Sequence, residues 1–139
     1  MAEDPDGTPH RDQMIQRYLD DIEKVIGSHP TILSSTLQKR LGPDGKTIYV
    51  IGTIMFSDLS VLEIAVFAVE MRNKIAVDKY RFQYMDKKGR MVFRYDNAPH
   101  HREAPTFPHH KHLPNRVSPS TQPSLADILN EISAAILNK

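Results

Sequence analysis

Residues 80–96 read YRFQYMDKKGRMVFRYD, and their alternation decides the architecture. Tyr80, Phe82 and Tyr84 alternate with Arg81 and Gln83. Beyond Asp86-Lys87-Lys88-Gly89, residues Met91, Phe93 and Tyr95 alternate with Val92, Arg94 and Asp96. Successive side chains of a strand point to opposite faces, so both runs carry one aromatic and one polar face, and the turn residues between them close a hairpin. Aromatics on paired strands most often pack a core, although such rings also serve as platforms for stacked bases.

Toward the N-terminus, Val61 to Met71 is nearly all apolar, which predicts a central strand covered on both faces. Thr47 to Phe56 is rich in Ile, Val, Tyr and Phe, and Thr31 to Leu41 is a more polar strand. Gly42-Pro43-Asp44-Gly45 joins these two as a hairpin. Before Pro30, the residues Met14, Ile15, Tyr18, Leu19, Ile22, Val25 and Ile26 recur at helical spacing and Gly27 follows as a stop. At the other end, Pro123-Ser124 precedes Leu125, Ile128, Leu129, Ile132, Ala135 and Ile136, a second amphipathic helix. Between Asp96 and Gln122 no periodicity is visible, and six of the ten prolines lie from Pro99 to Pro123. That predicts a long loop, of the kind that is usually functional when it is not low-complexity.

The predicted fold is therefore α+β: an N-terminal helix, a five-stranded largely antiparallel sheet, a long His-rich loop and a C-terminal helix. Residues 1–10 read as a disordered tail and 11–139 as one domain. A chain of 139 residues buries enough surface for a single core. With no cysteine, disulfides, thiolate nucleophiles and Cys-containing zinc sites are excluded. The acidic start MAEDPDGTPH has neither the basic nor the apolar region of a secretory signal, and no apolar run approaches the ~20 residues of a membrane helix. A cytoplasmic protein without membrane contact is expected.

Net charge is +1, but residues 72–116 hold eleven Lys/Arg against four Asp/Glu, while residues 1–71 hold six against eleven. Five of the seven histidines lie in the basic segment. An anionic partner such as RNA is the natural reading, with Arg81, Lys87, Lys88, Arg90 and Arg102 as nucleic-acid-binding candidates. The plain alternative is that these cations only solvate an exposed face.

The sharpest local feature is the pair of clusters His100-His101 and His109-His110-Lys111-His112. One neutral imidazole can take the proton from a ribose 2′-hydroxyl while a protonated one donates to the leaving oxygen. Lys111, Arg94 or Arg102 would then stabilise charge on the phosphoryl group, and Asp96 would orient a ring. The catalytic candidates are thus His100, His101, His109, His110, Lys111, His112, Asp96 and Arg94. No cofactor is expected and no residue is assigned to metal. The competing chemistry is a zinc, nickel or manganese site built from three of these His with Asp96 or Glu103, although the spacing matches no common metal motif. A third reading leaves the rings as exposed loop residues that dock on a partner protein. His10 and His29 stand apart from both clusters.

The runs YRFQYMDKKGRMVFRYDNAPHH, TFPHHKH and PSLADILNEI together resemble the TumE family of bacterial and archaeal toxins from toxin-antitoxin systems. The resemblance covers about the C-terminal half at motif level, and FRYDNAPHH followed by FPHHKH is its most specific part. It implies a toxin encoded beside a helix-turn-helix antitoxin, without an assigned mechanism. The sequence leaves open whether the protein is an enzyme and whether it forms a homodimer. The alternatives to a metal-independent ribonuclease are a non-catalytic nucleic-acid- or protein-binding module and a metal-dependent phosphoesterase.

Overall fold

The computed structural model describes residues 11–99, 102–103 and 105–139. The expected tail at 1–10 lies outside them. Helix α1 (Arg11–Gly27) leads into strands β1 (Ile32–Leu41), β2 (Thr47–Phe56), β3 (Val61–Met71), β4 (Lys74–Met85), β5 (Met91–Asp96), β6 (His110–Leu113) and β7 (Arg116–Pro119), and α2 (Leu125–Leu137) closes the chain. The seven strands form one antiparallel sheet in sequence order. No helix among the described residues is long and apolar enough to cross a membrane.

Short turns produce this meander, because antiparallel neighbours need only a hairpin between them. Arg72 and Asn73 both adopt positive φ, 49° and 63°, between Met71 and Lys74. Two such residues make the turn whose twist matches its flanking strands. At the next hairpin Gly89 takes φ 78°, and Asp86 accepts backbone N–H bonds from Lys88 and Arg90.

Both helices cover the same face. Ile48, Val50, Ile54 and Phe56 of β2 share that face with Leu62, Ile64, Val66 and Ala68 of β3, followed by Tyr80, Phe82 and Tyr84 of β4 and Phe93 of β5. Against them pack Ile15, Leu19 and Ile26 of α1 and Ile128, Leu129 and Ile132 of α2. The first turn of α2 is held by a capping box: the Asp127 N–H donates to Ser124 Oγ at 3.0 Å and the Ser124 N–H to Asp127 Oδ2 at 3.1 Å.

Two expectations are corrected. The strand at 61–71 is covered by helices on one face only; on the other, Tyr49, Ile51 and Met55 of β2 are exposed beside half-buried Ala65 and Phe67. Among the described residues the sheet has seven strands rather than five, because residues 110–119 add β6 and β7 where a loop was expected. Their sequences HKHL and RVSP show no apolar alternation. What holds them is pairing, with Arg94 opposite His112, Tyr95 opposite Lys111 and Asp96 opposite His110.

Candidate functional site

The β5–β6 pairing sends alternate residues to opposite faces. Arg94 and Asp96 of β5 and His110 and His112 of β6 go to the uncovered face, while Tyr95 and Lys111 go to the helix side. Asp96 is 5% exposed and His110 1% exposed. The Asp96 carboxylate gathers four groups. Its Oδ2 accepts from Arg94 Nε at 3.0 Å and lies 3.3 Å from His112 Nε2, while its Oδ1 accepts from the Ala98 N–H at 3.1 Å and lies 2.8 Å from His110 Nε2. The two imidazoles meet edge to face with centroids 4.6 Å apart.

Local sequence explains how the chain after β5 is held over this cluster. Asn97 replaces a missing strand partner, its Oδ1 accepting from the Tyr80 N–H at 3.0 Å and its Nδ2 donating to the Asp78 carbonyl at 2.9 Å. Thr106 Oγ1 donates to the His109 carbonyl and accepts from the Ser120 N–H, tying the loop to the end of β7. The Pro108 carbonyl accepts from His110 Nδ1 at 2.8 Å. His109 turns away from the carboxylate: its ring stacks on Tyr80, and its Nδ1 lies 2.9 Å from the Tyr80 hydroxyl. Burial, with the Asp96 charge adding to it, pushes the Tyr80 phenol up to about 12, so at neutral pH it keeps its proton.

The cluster forms one wall of an open cleft of about 990 Å³, lined also by Tyr49, Phe67, Arg81 and the Phe107-Pro108 segment. His112, Arg94 and Asp96 all reach this space. Tyr49 and Phe67 lie with ring centroids 6.2 Å apart on its floor. Arg81 stands over Glu63 at a loose 3.9 Å, which leaves most of its donors for other acceptors.

The sequence candidates therefore divide. Asp96, Arg94, His110 and His112 come together, and Arg81 shares their cleft. Lys111 is on the other side of the sheet. There its Nζ lies 3.2 Å from both Glu131 oxygens of α2 and about 5 Å over the Phe93 and Tyr95 rings. Burial acts to lower its pKa, but the Tyr95 hydroxyl and Glu131 carboxylate outweigh it and hold the ammonium above its ordinary value. Lys87, Lys88 and Arg90 lie exposed on the β4–β5 hairpin, and Arg102 and Glu103 are exposed in the loop. His100 and His101 lie outside the described residues. His29 bonds to Ser133 Oγ of α2 at 3.0 Å.

Tyr80, Phe82, Tyr84 and Phe93 are core residues. The rings available for stacking are instead Tyr49, Phe67 and Phe107, which sequence reasoning missed. The signal lay in β2, where Tyr49 is out of phase with buried Ile48 and Val50.

These features define an α+β protein whose polar chemistry sits on the uncovered face of one antiparallel sheet. The chain belongs to the family described as Toxin TumE, whose family model matches residues 22–136. Membership in a toxin family implies an antitoxin partner. No curated protein and no solved structure matches the chain.

Proposed function

We propose that this chain is the toxin of a toxin-antitoxin pair and that it acts on RNA held in the open-face cleft. The observation that carries this reading is the convergence of His112, Arg94 and Asp96 with Arg81 and the Tyr49 and Phe67 rings around one space. Guanidinium groups suit phosphate oxygens, and exposed rings suit bases. His112 supplies proton transfer to or from the ribose or the leaving oxygen, and Asp96 fixes its ring as a carboxylate partner does. His110 is enclosed by Asp96 and the Pro108 carbonyl, so it positions rather than touches substrate. The antitoxin, proposed to be the helix-turn-helix type, would silence the toxin by covering this face.

Expression of the chain without its partner should slow bacterial growth, and the His112→Ala and Arg94→Ala variants should grow normally at equal soluble expression. Purified protein should cleave RNA and leave 2′,3′-cyclic phosphate ends in the presence of EDTA. Tight RNA binding without turnover would instead support a non-catalytic module. Cleavage that stops with EDTA and returns with one metal would support a metal-dependent phosphoesterase.

A further inference from the structure

We propose that Asp96, His110 and His112 form a binding site for one divalent first-row cation such as Zn²⁺. The inference stands on the geometry of the triad and does not depend on RNA being the substrate. One nitrogen from each ring and one carboxylate oxygen lie within 4.8 Å of one another. A tetrahedral ion with bonds of ~2.0–2.1 Å separates neighbouring ligand atoms by roughly 3.3 Å. The observed contacts of 2.8 Å for His110 and 3.3 Å for His112 to the Asp96 oxygens already approach that spacing.

The second argument is the hydrogen-bond arithmetic of His110. A carbonyl oxygen is only an acceptor, so Nδ1 must carry the proton that reaches the Pro108 carbonyl. With Nδ1 held by the backbone, Nε2 is the nitrogen turned to the Asp96 carboxylate, 2.8 Å away. That is the orientation in which one cation would be shared between the ring and the carboxylate. A backbone carbonyl on the far nitrogen is also the partner that orients metal-bound histidines in general. The Arg94 Nε and Ala98 N–H bonds fix the carboxylate in the same way.

Two imidazoles and a carboxylate suit zinc, nickel or manganese and leave further coordination positions. Because Asp96 and His112 line the cleft, those positions open toward it and would take a water or a phosphoryl oxygen. With the ion bound, His112 would be a ligand and unable to transfer a proton, so zinc would suppress the metal-independent cleavage proposed above.

The test uses tag-free full-length chain stripped with chelator and titrated calorimetrically with ZnCl₂. The expected result is one equivalent bound, with a rise in Tm on saturation. His112→Ala, at a partly exposed position, and the near-isosteric Asp96→Asn should each weaken binding at least tenfold. A His100→Ala/His101→Ala variant should retain the site. The proposal is overturned if the wild type binds no zinc. It is equally overturned if both triad variants bind like wild type, or if the His100/His101 variant alone loses the ion, which would place zinc on the loop.

Discussion

Lys111 and His112 are neighbours in sequence and end on opposite faces of the sheet, in two polar clusters of different kind. On the helix side, Lys111, Tyr95 and Glu131 satisfy one another: the Tyr95 hydroxyl donates to Glu131 at 2.7 Å, and Lys111 reaches both carboxylate oxygens. Opposite charges meet, and the cluster ties α2 to β5 and β6. On the open side, one carboxylate is shared by Arg94, His110 and His112, with basic groups in excess and a cleft in front. The first cluster fastens two elements, whereas the second stands beside a cleft that its Arg94, Asp96 and His112 line.

The largest effect that would break this comparison is catalytic. His112→Ala should lower the rate of RNA turnover by about 10²- to 10⁴-fold, the usual worth of a group that transfers a proton. Lys111→Met, which keeps the apolar stem beside Phe93 and Tyr95, should leave turnover within about twofold and cost at most ~1 kcal/mol of stability. Single-turnover kinetics and chemical denaturation of both variants test this. Equal losses of turnover would mean that the two faces act as one site.

A second contrast separates packing from recognition. Ile132→Ala opens a cavity at a fully buried position of α2 and should destabilise the fold by about 2–5 kcal/mol. Phe67→Ala on the cleft floor should cost far less stability but weaken RNA binding by about 1–3 kcal/mol, the typical worth of a stacked base. Urea midpoints and RNA titrations measure the two. A Phe67 variant that binds RNA normally would remove the stacking role from the open face.

The smallest expected effect is a pH dependence at Tyr80, which links the core to the loop. Its phenol is raised from 10.0 to about 12 in the fold. Between those values the unfolded chain has lost this proton and the folded one keeps it. The contribution is therefore intact below pH 10 and declines as pH rises toward 12. The difference in stability between wild type and Tyr80→Phe, followed by urea denaturation from pH 9 to 12, should shrink in that window. A constant difference would show that burial and the Asp96 charge do not hold the phenol proton in the fold.

Much of this molecule follows from its sequence. Helical spacing marks both helices, Gly42 to Gly45 marks the first hairpin, and alternation over residues 80–96 marks the last strong one, because each signal arises within a few residues of chain. The same stretch shows which aromatics enter the core, since Tyr80, Phe82 and Tyr84 repeat with the period of a strand. The motifs FRYDNAPHH and FPHHKH carry the family in the residues themselves. Residues 110–119 were different: His110, Lys111 and His112 are polar on both faces of β6, so no apolar period reveals the strand. Only pairing with β5 decides that His112 joins Asp96 while Lys111 crosses to Glu131. Register with a distant strand is a non-local property, and a one-residue slip would exchange the two faces. The cluster of residue types was therefore legible in the sequence, and the membership of the site was settled by the sheet.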